Sequence, residues 1–180
     1  GFQSYMKRVR VELLRAQIAV QRAVNTRLEE QVASNYQVST TLLDNDSAND
    51  RDLAWLRHTP VSHGFLGLWD GPNSGPATAI GLASVYNPTP AQTKLLGQRY
   101  PAAQFPPPEL IAPADPSASA SINVLFPIAS ANRVWGVMGL ACSLHSWMFA
   151  DQKNIEVWAN LLGTAFERSE MIGSLLAQQE

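Results

Sequence analysis

The chain has 180 residues, of which 46% are hydrophobic and 16% charged, with a net charge of −2. That composition supports a folded chain of one ordinary domain plus an extension and argues against intrinsic disorder. It gives no global pull toward nucleic acid or an anionic surface, its single cysteine cannot close an internal disulfide, and no apolar run reaches the 18 residues of a membrane span. The charge is nonetheless uneven: Lys7, Arg8, Arg10, Arg15, Arg22 and Arg27 face only Glu12 in the first 28 residues. The single cysteine allows a reducing compartment and no secretion signal is seen, so a cytoplasmic protein is expected. The chain starts directly on a helical pattern, so it is expected to be a piece of a longer protein.

Residues 4–43 read as one long helix, because neither glycine nor proline interrupts them and alanine, leucine, arginine, glutamine and glutamate dominate. Some forty residues span roughly 60 Å, whereas a domain of about 140 residues is only some 30–40 Å across. Part of this helix must therefore meet a partner outside its own domain. One apolar stripe runs through Val11, Leu14, Ile18, Asn25, Leu28 and Val32, the other through Met6, Val9, Leu13, Ala16, Val20 and Ala23 or Val24. A symmetric coiled coil is the simplest partner, with the first stripe as candidate dimer seam and Asn25 setting its register. Which stripe is seam and which is core stays open. Arginines outside a seam are usually solvated or paired, and without aromatic or glycine interleaving they do not make a nucleic-acid arm.

The polar run 44–50 ends this helix, with Asp50 as expected N-cap of a short helix over 52–58 that Pro60 stops. Residues 63–70 (HGFLGLWD) and 78–86 (TAIGLASVY) read as two strands joined by a strong Gly/Pro turn, hence an antiparallel hairpin. Gly64, Gly67, Gly81 and Ala83 imply close approach of another element or a ligand. Residues 87–120 hold eight prolines and read as loop, apart from a short helix over 91–98.

Two further strands follow, 122–128 and 134–142, around the polar turn ASANR, and then a helix from Asp151 to about Gln179 with apolar residues at helical spacing. Gly163 and Gly173 should weaken that helix by about 1 kcal/mol each. The domain plan is thus an N-terminal helix over 1–43, a sheet domain over 44–150 and a C-terminal helix over 151–180.

Val124-Leu125-Phe126-Pro127-Ile128, then Arg133-Val134-Trp135-Gly136-Val137-Met138, then Phe149-Ala150-Asp151 entering a helix, resemble in order and spacing the C-terminal half of a GAF domain. The resemblance covers the C-terminal third best, residues 62–86 loosely, and 87–120 only in being irregular. It implies an α/β (α+β) fold: an antiparallel sheet with long N- and C-terminal helices packed on one face and the loop-rich insertion, a candidate lid, on the other. It also implies small-molecule sensing within a larger signalling protein rather than catalysis.

The best-known chemistries of that family do not carry over. Cys142 is alone, so a sulfoxide reductase would lack a resolving thiol. Three positions separate Cys142 from His145, which is not the adjacent pair of a bilin attachment site, and the residue set of cyclic-nucleotide-binding members is missing. His58, His63 and His145 are too scattered for a metal site, and no phosphate loop or nucleophile elbow occurs. No cofactor is assigned. Alternation along the strands leaves a pocket lining as the candidate site: His63, Phe65, Trp69, Tyr86, Phe105, Asn123 and Cys142. The expected function is a non-catalytic sensory or regulatory domain that dimerises through its helices and connects to other domains of the same protein. A dimerisation spacer with a filled pocket is the alternative, and a small enzyme with an unrecognised site is the third reading.

Overall fold

The computed structural model describes residues 1–44, 51–71, 79–111, 121–144, 147 and 152–179. They form helix α1 (Phe2–Leu43), a 3-10 helix (Leu53–His58), strand β1 (Val61–Trp69), strand β2 (Ala79–Tyr86), helix α2 (Pro90–Thr93), strand β3 (Arg99–Pro101), a 3-10 turn (Ala102–Gln104), helix α3 (Pro108–Ile111), strands β4 (Ser121–Ala129) and β5 (Val134–Ser143), and helix α4 (Gln152–Ala177). The chain divides into two compact units, Gly1–Tyr36 and Gln37–Glu180. The boundary therefore falls inside α1, seven residues before the expected end of the helical segment at position 43.

The first unit is helix alone. Val11, Leu14, Ile18, Leu28 and Val32 are exposed, as are Met6, Leu13, Val20 and Val24, and Asn25 is exposed with them. The last turns of the long N-terminal helix belong to the second unit and bury Val38 and Leu42 in its core.

The second unit is built on an open sheet of order β3-β2-β1-β5-β4, antiparallel at each pairing. Both expected hairpins form, with Phe65 opposite Val85 and Leu125 opposite Gly139. Pro127 lies inside β4 rather than at its end. It is tolerated because β4 is an edge strand, where a missing N–H breaks no central ladder and discourages a further strand from adding.

Adjacent strand residues point to opposite faces, and the core divides accordingly. One face carries Leu66, Met138, Leu140, Phe126 and Ile128 against Val38 and Leu42 of α1, Leu53, Trp55 and Leu56 of the 3-10 helix, and Ile155, Trp158, Leu162 and Phe166 of α4. Trp55 and Trp158 meet edge to face at 6.1 Å between ring centroids. The other face carries Phe65 and Leu82 beneath Leu110, Leu95 and Phe105 of the insertion.

Asp52, not Asp50, caps the 3-10 helix, accepting a hydrogen bond from the Ala54 N–H at 3.0 Å. Asp50, His145 and the expected cap Asp151 lie outside the described residues. The insertion is more regular than its prolines suggested. α2 is only four residues long, yet Thr89 and Gln92 close a reciprocal capping box at its start. β3 adds to the edge of β2 with Tyr100 opposite Ile80.

Candidate functional site

Three neighbouring strands lay their side chains in rows across the insertion face. One row is His63 on β1, Ala141 on β5 and Asn123 on β4; the next is Phe65, Gly139 and Leu125. In each row the middle residue is small while its neighbours are large, so the sheet surface is hollowed over β5. A cleft of about 130 Å³ lies there, walled by His63, Phe65, Asn123 and Leu125 and closed by Gln92, Leu110 and Ile111 of the insertion.

The walls are held by identifiable contacts. Gln92 is the buried polar residue of the cleft, 8% exposed, and both ends of its amide are used. Its Oε1 accepts from the Thr89 N–H at 3.0 Å, and its Nε2 donates to the Glu109 carbonyl at 3.1 Å, which ties α2 to α3. The Phe65 ring lies across Gly139 so closely that any Cβ on that glycine would run into it. Asn123 Nδ2 donates to the Ile111 carbonyl at a long 3.5 Å, a bond near the geometric limit and readily exchanged for a better acceptor. His63 presents an imidazole to the cleft. The arrangement can receive a small, mostly apolar guest with hydrogen-bonding groups at its His63–Asn123 end.

The structure brings three of the seven sequence-derived pocket residues together here: His63, Phe65 and Asn123. Phe105 borders them without lining the cleft, its ring edge-on to Phe65 at 5.8 Å and tilted against Tyr100 at 6.1 Å. It occupies the space above Gly67, as Leu56 does above Gly64 on the opposite face, so these two glycines admit protein side chains. Trp69 lies in a separate, wider depression of about 350 Å³ with Asp70, Arg133 and Trp135. Tyr86 and Cys142 lie outside the cleft. Tyr86 pairs with Gly64 and packs against the helix-covered core, while Cys142 pairs with Val61 on that same face. The cleft residues that strand reading missed, Gln92, Leu110 and Ile111, come from the insertion. A Thr-x-x-Gln capping signal at Thr89–Gln92 was the trace they left in sequence.

Cys142 is 4% exposed, and burial pushes its thiol pKa up. The folded state then keeps a proton that the unfolded chain releases above about pH 8.5. Because the unfolded chain binds fewer protons in that range, stability falls as pH rises through it. Cys142 is expected to resist a thiol-specific disulfide reagent at pH 8 in the native protein and to react promptly once the protein is unfolded in denaturant. Prompt native reaction would contradict the buried placement.

At the far end of the sheet, the β4–β5 turn is fastened to α4. Arg133 Nη1 contacts both carboxylate oxygens of Glu170 at 3.1 Å, and Nη2 donates to the Gly71 carbonyl at 3.3 Å. Its guanidinium sits 4.0 Å from the Trp135 ring centre, a cation–π contact. Beside it Asn132 donates to Glu167 at 2.9 Å. The turn of the cleft-bearing hairpin, Gly71 just beyond β1 and helix α4 are thus joined through one side chain.

No known protein-family model matches the chain, and no curated protein matches it. Among the described residues, no helix is long and apolar enough to cross a membrane.

Proposed function

We propose that this chain is a GAF-like, non-catalytic sensory or regulatory module of a cytoplasmic signal-transduction protein. It holds a small molecule on the insertion face of its sheet and relays occupancy through a homodimer formed by its terminal helices. The observation that carries this reading is the cleft over Gly139 and Ala141, hollowed by small residues on a central strand and walled by an insertion that is itself hydrogen-bonded in place. An apolar cavity of about 150 Å³ accepts one benzene-sized ring, so a cleft of about 130 Å³ suits a single-ring ligand. Among the described residues His63 is the only ionisable side chain in its lining, which favours an uncharged ligand. The Arg133 connection from the β4–β5 turn to Glu170 supplies a mechanical route from the sheet to α4.

A second reading, a dimerisation spacer without ligand, is favoured by one observation: Phe105 already fills the part of this face above Gly67. A thermal-shift screen of neutral single-ring compounds separates the two. A ligand at a hundred times its Kd should stabilise the domain by about 2.7 kcal/mol. Asn123 is an exposed edge-strand residue, so Asn123→Ala should change the unliganded stability by no more than about 0.5 kcal/mol while clearly reducing the ligand-induced shift. Absence of any stabilising compound would favour the spacer, and shifts indifferent to Asn123→Ala would put the bound compound outside this cleft.

A further inference from the structure

Two polar side chains in the lining of the sheet cleft have hydrogen-bonding capacity that the protein does not use. Among the described residues His63 makes no hydrogen bond or ion pair, although it is half-buried. Asn123 spends one amide hydrogen on the Ile111 carbonyl at 3.5 Å, and among the described residues its Oδ1 accepts nothing. Gln92, the remaining polar side chain of the described lining, is by contrast engaged at both ends of its amide. A polar group set among apolar walls gains from a partner that water or a guest supplies. The cleft therefore offers a guest two binding points rather than one.

Strand order sets how far apart these points stand. His63 and Asn123 both pair with Ala141, from opposite sides. Neighbouring strands run about 4.8 Å apart, so two strand spacings separate the two residues by about 10 Å. Side chains stand roughly perpendicular to a sheet, so their polar ends keep about that separation. With a hydrogen bond of about 2.9 Å at each end, the guest's own two polar atoms are at least about 4 Å apart, and further where the bonds rise away from the sheet. On a six-membered ring, polar atoms on neighbouring carbons are only about 3 Å apart, and those one carbon further round about 5 Å. Neighbouring positions are thus too close together to reach both side chains. The Phe65 ring lies across Gly139, which leaves Ala141, between the two points, as the open floor. A flat guest seated there has the Phe65 ring as its side wall.

We propose that the cleft selects a neutral single ring with two polar groups on non-adjacent ring positions, one held by Asn123 and the other by His63. The group facing the Asn123 Oδ1 carries an O–H or N–H, because a carbonyl oxygen only accepts; the group facing His63 is of either kind, because an imidazole can donate or accept. The inference rests on the ligand-binding reading of the cleft and adds what that ligand must carry.

The test titrates the whole chain calorimetrically with three probes. Resorcinol carries its hydroxyls one carbon apart, its isomer catechol (kept under argon against oxidation) carries them on neighbouring carbons, and phenol has a single one. Resorcinol is expected to bind roughly fivefold more tightly than either, the worth of one net hydrogen bond. Catechol has the same number of hydroxyls, so their count alone cannot produce that difference. His63→Phe keeps a flat ring at the position but removes its polar atoms, and should erase the advantage of resorcinol over phenol. His63→Gln retains a donor and an acceptor and should preserve it. The comparison among the three probes on the parent chain needs no variant, so a misfolded variant does not protect the proposal. Equal affinity for the three rings, or an advantage that survives His63→Phe, overturns two-point selection and leaves the cleft standing as a ligand site. Binding of none of the three also overturns it; the thermal-shift screen of other neutral rings then decides whether the ligand reading of the cleft falls with it.

Discussion

Replacing Gly136 with alanine is expected to destabilise the domain by at least about 3 kcal/mol, the upper end of ordinary overpacking costs. Gly136 pairs with Leu68 on β1 and Ile128 on β4, beside the irregularity between Ile128 and Ala129 that turns Trp135 toward Phe166. A methyl group there would be driven into the backbone carbonyl of Gly67. A backbone atom cannot swing aside as a side chain does, so relief requires β1 and β5 to separate in the middle of the sheet. Equilibrium denaturation of the variant should show a much lower midpoint or no folded baseline. A midpoint within about 0.5 kcal/mol of the parent, the range of ordinary surface substitutions, would show that the strands approach less closely than described.

The two glycines of α4 should respond to alanine with opposite signs. By helix propensity alone each exchange gains about 1 kcal/mol. At Gly173 a Cβ meets nothing within 4 Å, so Gly173→Ala should realise most of that gain. At Gly163 a Cβ would collide with the carbonyl of Ala129 at the end of β4. Here α4 lies directly on the sheet backbone, and Gly163→Ala should cost about 2–3 kcal/mol net, an overpacking penalty larger than the propensity gain. Thermal and denaturant unfolding of the two variants side by side checks the pair. Equal shifts of the same sign would mean that α4 does not approach β4 at this point.

Those glycines also mark how far the sequence could be read. Helical spacing located α4 and gave both glycines the same small penalty, because propensity is local and the Ala129 contact is not. The hairpins were legible from alternating apolar strands bounded by turn residues. β3 was not: three residues, one of them proline, carry no period, and β3 exists because Tyr100 and Arg99 find the open edge of β2 opposite Ile80 and Gly81. Alternation placed His63 and Phe65 on the cleft face, since they share one unbroken stretch of β1. Tyr86 and Cys142 belong to other strands, and which residue of a neighbouring strand stands beside His63 depends on register. That register is shifted by irregularities between Val61 and His63 and between Leu66 and Gly67, which single-strand parity cannot reveal. Asn123 stood out as a polar residue between apolar neighbours, and the pairing with Ala141 brings it onto the row that holds His63.

Mass spectrometry of the gently purified chain under native conditions tests the central claim most directly, because it reports assembly and retained ligand together. The account predicts an ion at twice the chain mass carrying an added neutral mass of single-ring size, and loss of that added mass, but not of the dimer, in Asn123→Ala. A monomer at every concentration, with no added mass in either protein, would contradict it.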